Sequence, residues 1–216
     1  MATASPKCIL FFVTIITATL LSGPAPAFAK SPVPLNASLY GTARQVSFGG
    51  ISAISTTSAL SGSTYGGVTF RTPKGSSLTL AGLSTLGTDY YIQTGDCAGG
   101  APRFTIFLSS GDIIYVWSGS SSGTWFTPAC TTGRWAPTPN LANPSSTYAV
   151  VSGGPFGGGE GTWSALLGDT CPKGGVACGS LHVTYISLDV DGGWTVNGGV
   201  QTILFFAITI NGYVYP

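Results

Sequence analysis

The chain reads as all-β: a two-sheet antiparallel, jelly-roll-like sandwich, stapled by disulfides, with at most one short helix near 162–167. Three features carry that reading. Gly 32 and Pro 14 break the 216 residues at short intervals, and β-branched and aromatic residues fill the gaps. Several of those gaps alternate between two sets of side chains, as a pleated strand requires. An even set of four cysteines follows a leader-like N-terminus, which is the usage of secreted, disulfide-bonded domains.

From the N-terminus, Lys7 precedes a 14-residue apolar run, Cys8 to Leu21. Gly23, Pro24 and Pro26 follow, then Ala27-Phe28-Ala29 with small residues at both cleavage-specificity positions. That order predicts a signal peptide over 1–29, cleaved after Ala29, and a secreted, extracellular address. The apolar run is short of the roughly 20 residues a membrane span needs. Removing 29 from 216 leaves 187 residues, enough for one domain with a real core. Residues 30–43 read as an extended arm and 44–216 as a single β-sandwich domain.

Strands are expected at Arg44–Phe48, Gly67–Arg71, Ser77–Leu80, Tyr90–Thr94, Arg103–Ser109, Ile113–Trp117, Gly123–Thr127, Thr147–Ser152, His182–Val190, Gln201–Ile210 and Tyr213–Tyr215. In Arg103–Ser109, Phe104, Ile106 and Leu108 share one face, and Arg103, Thr105, Phe107 and Ser109 the other. In His182–Val190, Ile186, Leu188 and Val190 belong to the inward set, while Val183, Tyr185, Ser187 and Asp189 alternate with it. Ser109-Ser110-Gly111-Asp112 suits a hairpin turn. Thr162–Leu167 suits the short helix, capped by Thr162 or by the glycine run before it. Residues 118–123 and 153–161 read as loops. No repeat of 20–50 residues argues for a solenoid or propeller.

The charge balance excludes partners. The chain carries 8 basic and 7 acidic residues, and loss of Lys7 with the leader leaves 7 of each. A neutral, charge-poor surface does not neutralise nucleic-acid phosphates or hold an anionic membrane surface. Cys97, Cys130, Cys171 and Cys178 admit three pairings. Cys171–Cys178 would close a short Pro/Gly loop, and Cys97–Cys130 would staple two hairpin regions. One histidine and no Cys-x2-Cys pair argue against a metal centre.

Residues able to carry chemistry are few. His182, the only histidine, has no Gly-x-Ser-x-Gly elbow before a helix to serve, so a serine triad is not expected. Glycoside hydrolysis would use Glu160, the only glutamate, with an Asp, but Glu160 lies in a glycine-rich loop. Asp189 and Asp191 before Gly192-Gly193 resemble the start of a calcium loop without its closing Glu, so structural calcium is a weak candidate and no other cofactor is expected. Asp96 and Asp112 read as turn residues, and Arg103 is expected to pair with one of them. Trp117 and Trp163 read as core. Trp125, Trp135 and Trp194 stand beside turns, where exposed rings could take the C–H faces of sugars.

Two stretches carry a resemblance. One is Gly95-Asp96-Cys97-Ala98-Gly99-Gly100-Ala101-Pro102-Arg103-Phe104. The other is Asp191-Gly192-Gly193-Trp194, with Gly199-Val200-Gln201-Thr202 and Ile208-Thr209-Ile210-Asn211-Gly212. Together they resemble small secreted bacterial β-sandwich proteins of unknown function, and the last strand is similar to that of jelly-roll carbohydrate-binding modules. Where that pattern carries an Asp-Asn pair, this chain has Phe206-Ala207. The resemblance implies the sandwich; it implies no activity.

The expectation is therefore a secreted binding module rather than an enzyme, without catalytic residues, taking cell-wall or extracellular carbohydrate through Trp125, Trp135 and Trp194. A surface-associated structural protein without a small ligand is the first alternative, and a glycan hydrolase using Glu160 the second.

Overall fold

A computed structural model describes residues 34–59, 64–95, 102–117, 132–143, 148–151, 161–190 and 199–216. All belong to one unit, Pro32–Pro216. Its strands are β1 (Asn36–Gly41), β2 (Arg44–Phe48), β3 (Ile51–Ala59), β4 (Gly66–Arg71), β5 (Leu86–Thr94), β6 (Arg103–Leu108), β7 (Ile113–Trp117), β8 (Trp135–Pro137), β9 (Tyr148–Val151), β10 (Gly161–Thr162), β11 (Val183–Val190), β12 (Val200–Ile210) and β13 (Tyr213–Tyr215). The helix α1 spans Trp163–Gly168.

Two antiparallel sheets form. One has the order β1-β4-β11-β6-β7-β9-β10; the other has β2-β3-β12-β5-β8, with β13 beside the end of β12. Eight of these strands trace a long folded hairpin. β6 pairs with β7, β5 with β8, β4 with β11 and β3 with β12. The limb running out is thus matched in reverse order by the limb running back, which is the jelly-roll wrap.

The core lies between the sheets. The seven-stranded sheet turns Val68 and Phe70, Phe104, Ile106 and Leu108, Ile114 and Val116, and Ile186, Leu188 and Val190 inward, all buried. The alternations of β6 and β11 run as their sequences predict, except at the start of β11. There a register shift between Val183 and Tyr185 buries Val183 as well. The six-stranded sheet answers with Ile54, Leu86, Tyr90, Ile92, Ile203 and Phe205. A bulge between Phe206 and Thr209 resets β12, so that Ile208 and Ile210 also point inward. Thr88 donates to the freed Phe206 carbonyl at 3.0 Å.

Several expectations change. The N-terminal stretch read as an arm supplies β1, which pairs with β4 over its whole length. β3 and β8 were not expected as strands, nor the short β10. Ser77–Leu80 forms a single bridge, Thr79 to His182, followed by a turn of 3-10 helix. Gly123–Thr127 lies outside the described residues. α1 starts one residue later than expected. Thr162 caps it by accepting from the Ala165 N–H at 3.2 Å, and Trp163 and Leu166 fill the core.

Cys171 and Cys178 form a disulfide, as expected. Cys97 and Cys130 lie outside the described residues. The Cys171–Cys178 loop is held to the β6–β7 turn by Asp112, whose carboxylate accepts from the backbone N–H groups of Lys173 and Gly174, both at 3.1 Å. Among the described residues no helix is long and apolar enough to cross a membrane.

Candidate functional site

The outer face of the seven-stranded sheet carries a cleft of about 540 Å³. Its floor follows from strand register. Thr69 on β4, Ser187 on β11 and Thr105 on β6 lie opposite one another, which sets three hydroxyl side chains in one row. Tyr115 on β7 continues that row. Two residues along the strands, Tyr40, Gly67, Asp189 and Arg103 form a parallel row. Two residues the other way stand Arg71, Tyr185 and Phe107. Tyr65, half exposed, stands with its ring centroid 6.3 Å from that of Tyr40 and adds to the wall.

Asp189 sits at one end of the floor and is buried. One carboxylate oxygen accepts from the Tyr40 hydroxyl; the other accepts from Thr105 and, at 2.9 Å, from Ser187. Gly67 makes the Tyr40 contact possible. β4 lies between β1 and β11, and a Cβ at Gly67 would meet the Leu188 carbonyl oxygen at 2.0 Å and the Tyr40 hydroxyl at 3.0 Å. The missing side chain lets a tyrosine reach across one strand to the next. Burial is the largest influence on Asp189 and raises its pKa, against the hydroxyl donors and the charge of Arg103. Burial also pushes the Tyr40 hydroxyl far up, and Asp189 adds to that shift.

The walls are layered. Phe107 and Tyr185 stack at 3.9 Å with rings 15° from parallel, and the exposed Arg71 guanidinium lies 5.1 Å from the Tyr185 ring centre. Arg103 lies 4.8 Å from the Tyr115 ring centre. Such cation–π contacts draw a guanidinium toward its ring. The arrangement can present aromatic rings, the partly exposed Thr69 hydroxyl and two guanidinium groups to a polyhydroxylated ligand.

The predicted site residues fall differently. Trp135 lies on the outer face of the other sheet, half-buried in a cluster with Tyr91 at 5.7 Å, Phe206 at 6.1 Å and Phe48 at 6.4 Å. Ala53 and Leu204, also on that face, are buried. Trp135 therefore closes a small second core. Trp125, Trp194, Asp191, Glu160 and Asp96 lie outside the described residues. Asp189 is in the cleft, with both oxygens engaged by hydroxyls. Among the described residues no three His, Cys, Asp or Glu side chains group around a point that could hold a metal. Arg103 faces Asp189 and Tyr115, not Asp112, because Asp112 turns to the disulfide loop.

Sequence reasoning missed Tyr40, Tyr65, Arg71, Tyr115 and Tyr185 as site residues. Their signal was present in the polar sets of β6 and β11: Arg103, Thr105 and Phe107 on one, Tyr185, Ser187 and Asp189 on the other. Two adjacent strands with such outward faces mark a polar, aromatic sheet surface. No protein-family model, curated protein or solved structure matches this chain.

Proposed function

We propose that the chain is an exported carbohydrate-binding module whose ligand lies along the cleft on the seven-stranded sheet. The observation that carries the reading is the row Thr69, Ser187 and Thr105 walled by Tyr40, Tyr65, Tyr115 and Tyr185. Sugars offer C–H faces that pack on aromatic rings and hydroxyls that exchange hydrogen bonds with hydroxyl, carboxylate and guanidinium groups. Concave, mostly pre-formed surfaces with a few convergent polar groups are where small ligands bind. Binding is favoured over hydrolysis because, among the described residues, Asp189 is the one carboxylate lining the cleft, and glycoside cleavage generally takes a pair.

The test is retention on a panel of insoluble and immobilised polysaccharides, repeated with Tyr185→Ala and Tyr115→Ala. The expected result is retention on at least one polymer, weakened roughly tenfold or more by each change, since a ring face in a binding site contributes about 1–3 kcal/mol. Circular dichroism should be unchanged. Failure to bind any polymer, or binding indifferent to both changes, overturns the reading.

A further inference from the structure

We infer that the cleft selects acidic polysaccharide, in which sugar carboxylates meet Arg71 and Arg103; the inference rests on the binding reading above. Among the described residues, the charged side chains lining the cleft are Arg71, Arg103 and Asp189. In a chain with 8 basic residues in 216, two of them on one sheet surface is a local excess of positive charge. Asp189 offsets Arg103, which faces it, more than Arg71, which stands opposite Tyr185 four residues along β11. Its oxygens are turned to Tyr40, Thr105 and Ser187, and it is buried while Arg71 is exposed.

Placement adds a second argument. Arg71 stands opposite Tyr185 and Arg103 opposite Asp189, four residues apart along β11 and on its two different neighbours. At about 3.3 Å per residue that is roughly 13 Å along the strand. The guanidinium groups thus mark two ends of one cleft, suited to carboxylates on different sugars of one chain. Arg71 lies over Tyr185, itself stacked on Phe107. A guanidinium lying on a ring keeps its N–H edge in plane, and that edge matches a carboxylate with two parallel hydrogen bonds. Neutral sugars use the same rings and hydroxyls but offer the guanidinium groups no opposite charge.

The test is calorimetric titration of the full-length mature protein with polygalacturonate oligomers, the same oligomers methyl-esterified, alginate oligomers and neutral cello-oligosaccharides. The expected result is binding of an acidic oligomer, at least roughly tenfold weaker after esterification, since a charge-assisted pair is replaced by a neutral contact. That affinity should fall as NaCl rises from about 50 to about 500 mM, because the pair at Arg71 is open to solvent. Arg71→Gln should lose roughly tenfold on the acidic oligomer, with Arg71→Lys between the two, and neither change should alter the circular dichroism. Equal binding of esterified or neutral oligomers, or an acid preference indifferent to Arg71→Gln, overturns the selectivity and leaves the binding reading standing. No binding of acidic or neutral oligomers overturns both.

Discussion

At Asp189, burial and hydrogen bonding pull in opposite directions, and burial is the larger. A carboxyl whose pKa is higher in the folded chain binds its proton more tightly there. Its stabilising contribution is complete below the ordinary carboxylate pKa and is lost as pH rises through the folded value. The wild type should therefore lose stability relative to Asp189→Asn as pH climbs above the ordinary carboxylate value of about 4. Urea denaturation midpoints across that range measure it, and parallel pH profiles would refute the assignment. Ala207 offers a second residue-level test. It sits in the β12 bulge at φ +48°, in the left-handed region, where an L side chain crowds its own backbone. Ala207→Gly should raise stability by about 0.5–1 kcal/mol, read as an increase in Tm of roughly 1–4 °C. The polar face holding Asp189 was legible in the alternation of β11. Its contact with Tyr40 was not, because it depends on the register of three strands and on an absent side chain at Gly67.

At the scale of the element, strands with aromatic and branched residues at regular alternation were legible, and β7 and β13 agree with expectation residue for residue. β3 was not. Its sequence, ISAISTTSA, is built of small residues, yet Ala53, Ile54, Ser55 and Thr56 are all buried. A strand covered on both faces needs small side chains where its cover lies close, and that removes the alternation by which strands are recognised. β8 is three residues long, too short for a period to show. Turns were read for their conformation, not for their reach. Asp112 illustrates the difference: besides closing the β6–β7 hairpin, its carboxylate caps two N–H groups of the Cys171–Cys178 loop. Asp112→Ala should leave those donors unpaired beside a buried site, at a cost of about 2–4 kcal/mol. Thermal unfolding should show the loss, and Asp112→Asn should recover part of it. A change of Tm within error for Asp112→Ala would mean that the loop stands without its anchor.

Eight strands of the described unit form a long hairpin wrapped on itself, so that the first and last of the eight, β3 and β12, finish side by side. That architecture was legible as a class, from strand number and turn spacing, while the pairing order was not, since sequence carries little information about contacts between strands more than a hundred residues apart. Tyr215 shows how the wrap is closed. It stands on β13, beside the six-stranded sheet, but its ring lies 4.8 Å from that of Phe70 on β4 of the other sheet. Its hydroxyl accepts from the N–H of the buried Leu35 at 2.7 Å, just ahead of β1. One side chain thus joins both sheets and both ends of the described unit. β1 carries Tyr40, so the same contact steadies one wall of the cleft. Tyr215→Phe removes only the hydrogen bond and should cost about 1 kcal/mol. Tyr215→Ala also removes the ring from a partly buried contact and should cost roughly 2 kcal/mol more. Hydrogen exchange in Tyr215→Ala should speed up across β1 before it does in β6 or β11, whose strands are paired on both sides. If the proposed ligand binds, Tyr215→Ala should weaken it less than Tyr185→Ala does, because it loosens a wall without removing a contact. Uniform acceleration over both sheets would mean that β13 supports the sandwich as a whole and not its closing edge.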